Sequence, residues 1–319
     1  MNIYFAPLEG ITGFVLRNAY ESCFPGTIDR YFAPFIAASC RKKLAARDLR
    51  DVLPENNAGI CLIPQLLANK GEDFISTAQM LYQFGYREMN LNLGCPSATV
   101  VTKKRGAGLL AEPELLKAFL TECYDWAEGK GVKLSIKTRI GMEEEAEWEN
   151  LLSMYESFPV SELIIHPRLR EDYYRGQIHE EAFAQAYREI CVEQKQTAGL
   201  CYNGDIISRE QIQRLADAYP KLSAVMIGRG FLMHPGFTAE RLWLFHDRIY
   251  EGYRSYLQGD KPVLFKMKEL WSYLQVGLSE LGEENNSKTD KLMKQLRKCN
   301  TCADYDSVIR QLKLLCRDN

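Results

Sequence analysis

The sequence predicts an α/β fold, a closed (β/α)8 TIM barrel followed by a small C-terminal all-helical domain, and two observations carry that prediction. Eight short apolar runs recur through the first three quarters of the chain, at 3–5, 28–32, 60–64, 88–91, 133–136, 162–165, 200–202 and 224–227. Most are separated by segments of helical periodicity, such as Phe74-Ala78-Leu81-Phe84, Leu115-Phe119-Tyr124-Trp126 and Ile212-Leu215-Ala216. Strand–helix alternation implies a parallel sheet. Eight repeats over about 230 residues suit a closed barrel better than an open doubly wound sheet, and no G-x-G-x-x-G follows the first run.

After residue 236 the strand signals cease. The remainder reads as helices at 239–257, 262–281, 289–299 and 305–316, with Gly259-Asp260 and the polar 282–287 stretch as breakers. The expected division is therefore a barrel at 1–239 and a helical domain at 240–319.

Composition bounds the setting. With 40 Lys and Arg against 42 Asp and Glu, the net charge of −2 announces no polyanionic partner, so a nucleic-acid site must be a local patch. Ten irregularly spaced cysteines and no charged-then-apolar leader before the strand-like 2–6 run point to free thiols in a cytoplasmic protein. No apolar stretch approaches the roughly 20 residues of a membrane span, so no membrane partner is expected. Nothing marks an obligate protein partner.

In such barrels the C-terminal strand ends carry the chemistry. The residues at the ends of the eight runs are Pro7, Phe32, Gln65, Asn92, Lys137, His166, Asn203 and Gly228. The Asn203-Gly204-Asp205 and Gly228-Arg229-Gly230 turns close the seventh and eighth runs, where barrels commonly bind phosphate through backbone N–H groups; Arg229 would add a charged contact. Taken singly, the glycines also read as makers of tight turns.

Lys137 ends an apolar run that puts its stem inside the barrel and its ammonium at the rim, facing an anionic ring or phosphate; a salt-bridged strand-end lysine is the plainer alternative. His166 and Gln65 read individually as satisfied core polar groups, and their neighbouring strand ends are what raise them.

Cys95 lies between Gly94 and Pro96, on a sharp turn leaving the fourth run. Most cysteines are inert fillers, but this turn presents the thiol to the pocket, with Asn92 three residues earlier. No G-x-S-x-G elbow, H-E-x-x-H helix or P-loop supports a hydrolase, zincin or NTPase reading. Cys299-x-x-Cys302, with Cys316 later, lacks a second pair or a histidine, so no metal is expected.

Together these residues resemble the tRNA-dihydrouridine synthases, an FMN-dependent barrel family with a C-terminal helical domain. The resemblance is carried by Ala6-Pro7-Leu8-Glu9-Gly10, Pro64-Gln65-Leu66, Asn92-Leu93-Gly94-Cys95-Pro96 with Arg105-Gly106-Ala107-Gly108-Leu109-Leu110, the 136–141 run from Ile136 through Lys137 and Arg139, His166-Pro167-Arg168, Asn203-Gly204-Asp205-Ile206 and the 226–230 turn. It implies that FMN contacts Pro7, Leu8, Gln65, Lys137, His166, Asn203, Gly204, Asp205, Gly228 and Arg229, with NADPH as the reductant. It implies that Cys95 protonates C5 of a tRNA uracil while reduced flavin delivers hydride to C6, and that Asn92, Arg139, Arg170 and Tyr174 bind the substrate. The target base must leave the RNA stack to reach a flavin. The chain departs from the family at Pro167, where glycine often follows the histidine, and across 169–176, which bears on Arg170 and Tyr174.

Basic clusters at 41–43, 103–105, 168–175 and 288–298 suit tRNA phosphates. In the last, Lys291, Lys294 and Lys298 share one helical face while Leu292, Leu296 and Cys299 share the inward one, a pattern that an ordinary solvated helix also gives. The alternatives are an FMN barrel oxidoreductase acting on a free pyrimidine, which needs no extended cationic surface, and a non-enzymatic tRNA-binding protein on the same fold.

Overall fold

The computed structural model describes residues 1–41, 43–194, 198–234, 238–280 and 286–315. Lys42, Pro235, Gly236, the 282–285 part of the polar breaker and Cys316 lie outside the described residues.

Eight strand positions form the sheet: β1 (Asn2–Phe5), β2 (Arg30–Phe32, resuming at Ile36–Ala37), β3 (Leu62–Ile63, resuming at Gln65–Leu67), β4 (Glu88–Leu93), β5 (Lys133–Gly141), β6 (Glu162–Leu169), β7 (Gly199–Tyr202) and β8 (Ala224–Ile227). Each pairs in parallel with the next. β8 returns to β1 through Asn2↔Ala224 to Phe5↔Ile227, so the sheet closes on itself as the predicted TIM barrel. The breaks in β2 and β3 contain Pro34 and Pro64, which have no N–H to give a ladder. Pro64 still accepts at its carbonyl from the Asn90 N–H, 2.9 Å away, and keeps the wall continuous.

The barrel interior is filled by Tyr4, Ala6, Phe32, Ile63, Ile164, Cys201, Ala224 and Met226, all buried. Residues alternate between the two faces of a strand, so membership of Ile164 in this cluster assigns Glu162 and His166 to the same inner face of β6.

Three strands outrun their apolar stretches: β4 reaches Leu93, β5 reaches Gly141 and β6 reaches Leu169. Asn92, Lys137 and His166 therefore stand inside strands rather than just beyond them, as does Gln65 in the second part of β3. The register between β5 and β6 slips between Arg139 and Gly141, beside Pro167, a residue that cannot donate to the ladder. Its carbonyl instead receives the His179 N–H at 2.9 Å.

The helix Arg209–Ala218 begins at a capping box, with the Ser208 hydroxyl accepting from the Gln211 N–H and the Gln211 side chain accepting from the Ser208 N–H.

Internal contacts divide the chain into two compact units, residues 1–7 with 28–227 and residues 8–27 with 228–319. The second unit is helical: Phe14–Cys23, Arg229–Met233, Ala239–Tyr256, Asp260–Glu280, Asn286–Lys298 and Cys302–Leu315. Its last four helices follow the expected ones to within a few residues. Phe14–Cys23 packs on Ala239–Tyr256, with Tyr20 edge-on to Phe245 at 5.8 Å between ring centroids. Within the unit, buried His246 meets the Tyr305 hydroxyl at 2.7 Å and Trp271 donates to the same hydroxyl at 2.8 Å. No helix among the described residues is long and apolar enough to cross a membrane.

Candidate active site

The strand register brings the polar residues together in steps around the barrel mouth. Gln65 is opposite Asn90, Asn92 opposite Lys137, and Arg139 opposite His166. Side chains two apart share a face, so Asn90 and Asn92 stand on one face of β4, and Ser135, Lys137 and Arg139 on one face of β5.

A relay of carboxamides links the inner layer. Gln65 Nε2 donates to Asn90 Oδ1 at 2.7 Å, Asn90 Nδ2 donates to Ser135 Oγ at 2.9 Å, and Asn92 Nδ2 donates to Gln65 Oε1 at 2.7 Å. Gln65, Asn90 and Ser135 are fully buried, a burden these amides tolerate because they satisfy one another.

Asn92 Oδ1 then accepts the backbone N–H of Gly94 at 3.1 Å and of Cys95 at 2.9 Å. The half-buried Cys95 is thus held by its backbone while its thiol lies at the mouth. The short helical turn Gly106–Leu109 closes on it, with the Ala107 N–H donating to the Cys95 carbonyl at 3.1 Å. Gly106, at φ +56°, is required there: a Cβ would stand 3.0 Å from Cys95 Cβ and 2.9 Å from its carbonyl oxygen.

Arg139, 1% exposed, is committed to backbone. Its Nε donates to Gly94 O at 2.9 Å, Nη1 to Leu169 O at 2.7 Å and Nη2 to Tyr173 O at 2.6 Å. It ties the Cys95 turn to the loop after β6. Burial, with Arg168 adding to it against the help of Tyr174, lowers its pKa to about 10.

Lys137 differs from Arg139: half-buried at the mouth, it makes no hydrogen bond or ion pair with the described residues. Burial first, then the neighbouring Arg139 charge, lowers its ammonium to about 8.

His166 is buried and meets Arg168 Nη1 at 3.1 Å through Nε2. Arg168, 3% exposed, also donates to Asp205 at 2.6 Å and to Gly176 O at 2.8 Å. Tyr174, exposed, lies nearly parallel to the His166 ring at 6.4 Å and beneath the Arg139 guanidinium at 5.5 Å. Arg170 lies over Tyr173 at 5.1 Å, and its buried Nε has no hydrogen-bond partner among the described residues. Asn203 Nδ2 donates to Met226 O at 2.7 Å, joining the turn after β7 to the end of β8, and Gly204 leaves room for the Tyr202 ring.

Pro7 follows β1, half-buried. Leu8, Gly228 and Arg229 belong to the second unit. There the Thr12 hydroxyl accepts the Leu8 N–H at 2.7 Å, and Gly228 precedes the short helix Arg229–Met233.

Asn90, Gly106 and Arg168 join the site although no strand-end position in the sequence marks them. Asn90 and Arg168 stand two positions from Asn92 and His166, so strand parity was the signal for both. Among the basic clusters, Arg168 is a correction: it is buried and paired, and cannot face RNA. Lys104 and Arg105 are paired with Glu112 and Asp73. Lys291, Lys294 and Lys298 are exposed while Leu292, Leu296 and Cys299 are buried, as the helical face required. The nine described cysteines are free, and no described group of three or more His, Cys, Asp or Glu is placed to hold a metal ion.

A closed parallel barrel with an inward polar ring at the C-terminal strand ends has the architecture of a barrel enzyme. Morphinone reductase shares this fold at a TM-score of 0.50 and 13% identity, over 73% of this chain and 83% of that one. A structure titled TcOYE with pHBA does so at a TM-score of 0.50 and 11% identity, over 81% and 95%. A model of the dihydrouridine synthase (Dus) family matches residues 4–282, and the chain belongs to that family of oxidoreductases. It is similar to a probable tRNA-dihydrouridine synthase of Staphylococcus aureus, with 29% identity over 233 residues, covering 72% of this chain and 68% of that one. It is also similar to probable tRNA-dihydrouridine synthase 2 of Bacillus subtilis, with 26% identity over 231 residues, covering 72% and 69%.

Proposed function

We propose that this chain is a tRNA-dihydrouridine synthase that reduces the C5=C6 bond of a uridine in tRNA, with FMN as cofactor, NADPH as reductant and the cytoplasm as its setting. The observation that carries the reading is the Asn92–Cys95 arrangement: a thiol fixed through its own backbone at the mouth of a barrel, near Lys137 and Arg139.

The residues present fit a flavin. Lys137 is a half-buried cation with no hydrogen-bond or ion-pair partner among the described residues, which suits the anionic edge of the ring system, and Asn203, Gly204 and Asp205 form a turn suited to phosphate. Pro7, Gln65, Lys137, His166 and that turn are the proposed cofactor residues of the barrel unit. When bound, the flavin supplies hydride equivalents that NADPH replenishes.

Cys95 gives its proton to C5 of the uracil as C6 accepts hydride, and the thiolate recovers a proton from solvent. Asn92 holds the thiol's backbone and, with Tyr174 and Arg170 at the rim, borders the space for a base turned out of its stack. Arg139 serves the substrate by fixing both the Cys95 turn and the 169–176 loop, since its three nitrogens already have backbone partners. Lys291, Lys294 and Lys298 supply a cationic face for RNA phosphates.

The test is to map dihydrouridine in tRNA from cells with and without the gene, then with Cys95→Ala. Loss at defined positions in both strains, with purified Cys95→Ala still yellow and still binding tRNA, is the expected result. Unchanged dihydrouridine everywhere on deletion, in a strain lacking any paralogue, would sink the reading.

A further inference from the structure

We propose that Arg168 is a positioning residue that holds His166 as a neutral imidazole with its single proton on Nδ1. The inference deepens the flavin reading above and rests on it for its consequence, though not for its geometry.

A guanidinium has only donors, so the 3.1 Å contact between Arg168 Nη1 and His166 Nε2 requires that nitrogen to accept. A proton on Nε2 would face an N–H and cannot stay there. The ring is left with one proton, on Nδ1, and with no room for a second.

Arg168 has no freedom to move away. Its Nη2 donates to Asp205 at 2.6 Å and its Nε to Gly176 O at 2.8 Å, so all three nitrogens are engaged and the side chain is 3% exposed. The charged groups about the ring reinforce the neutral state: Arg168 on its own strand and Arg139, its register partner on β5, are both cations. The Tyr174 ring lies alongside, and the Asp205 carboxylate stands behind Arg168, which it neutralises.

With Lys137 and Arg139 already at the mouth, a protonated His166 would add one more positive charge. A neutral ring of one tautomer gives the cofactor side of the mouth a proton arrangement that does not change with pH near neutrality. Arg168 touches neither cofactor nor substrate in this scheme and acts through His166.

The experiment is nitrogen-15 NMR of histidine-labelled protein, flavin-free and flavin-loaded, with His166 assigned among the four histidines by its loss in His166→Asn. The expected wild-type signal has Nδ1 protonated and Nε2 bare through the pH range in which an ordinary imidazole takes up its second proton. In Arg168→Met the ring should mix tautomers and take up that second proton in the ordinary imidazole range, and flavin affinity should acquire a pH dependence there. A wild-type ring protonated on Nε2, or cationic at pH 7, overturns the proposal, as does an Arg168→Met ring that keeps the wild-type tautomer and titration. If Arg168→Met fails to fold, the wild-type spectrum decides alone. Failure of wild type to bind flavin would count against the functional reading and leave the tautomer measurement standing.

Discussion

Asn92 Oδ1 accepts the backbone N–H of Cys95 at 2.9 Å, while its Nδ2 donates to Gln65 Oε1 at 2.7 Å. One side chain thus connects the proposed proton donor to the buried amide layer beneath it. Asn92→Ala should leave Gln65 Oε1 and the Cys95 N–H without partners, at a cost of about 1–3 kcal/mol each where water cannot reach. Turnover on tRNA should fall about 100-fold through displacement of the thiol, with flavin content retained. Single-turnover rates of the reduced enzyme, beside its flavin absorbance, measure both; a rate within about twofold of wild type would show that the anchor does not matter.

Gly106 supports the thiol from the other side. An alanine there meets Cys95 Cβ at 3.0 Å and must also adopt φ +56°. The left-handed backbone alone costs about 1–2 kcal/mol. Gly59→Ala is the control, since Gly59 has φ +89° and nothing within 4 Å of its would-be Cβ. Both variants should melt earlier than wild type, but only Gly106→Ala should lose turnover, by about tenfold or more. Equal turnover in the two variants would remove Gly106 from the site.

The barrel was legible because its strands bury both faces, so each appears as an apolar run, and the eight runs fall on the eight strand positions. The last four helices were legible from their periodicity and breakers. Strand ends were not, because apolarity stops at Leu91, Ile136 and Ile165 while the ladders continue to Leu93, Gly141 and Leu169. What continues them is hydrogen bonding among inward polar side chains, such as Asn92 with Gln65, which leaves no hydropathy signal. The same physics hid Asn90 and Arg168, whose partners lie on other strands or loops. Phe14–Cys23 was missed because its apolar stripe is completed by Ala239–Tyr256, more than two hundred residues away in the chain.

Lys137 should destabilise the flavin-free barrel and serve the loaded one. Its folded-state value of about 8 lies below the ordinary 10.5, so the cost of carrying the ammonium is fully present below about pH 8 and disappears as pH rises toward 10.5. Lys137→Met should therefore raise the unfolding free energy of flavin-free protein at pH 7, with a smaller gain at pH 9.5. Flavin affinity should fall in the same variant, and tRNA affinity should fall less. Denaturant melts at the two pH values and flavin titrations are the measurements, and a stability gain independent of pH would mean that the ammonium is already well solvated.

Glu162 gives the opposite pH signature, at the other end of the barrel interior. Its carboxylate accepts from the Tyr4 hydroxyl at 3.0 Å, stands 3.8 Å from Arg30, and leaves Oε2 without a hydrogen-bond donor among the described residues. Burial raises its pKa to about 7; the Tyr4 hydrogen bond and Arg30 oppose the rise, and Glu88 adds to it. A carboxyl raised in the folded state contributes stability that is fully present below its ordinary value of 4.5 and lost as pH climbs through about 7. Glu162→Gln keeps the shape and cannot ionise, so it should escape that loss. The stability of the variant relative to wild type should grow between pH 5 and pH 8, by on the order of 2–3 kcal/mol. Paired denaturant melts at the two pH values measure the difference. A difference that stays flat would mean that Arg30 and Tyr4 stabilise the carboxylate enough to keep it ionised throughout, and the lower barrel would then contain a permanent ion pair rather than a titrating acid.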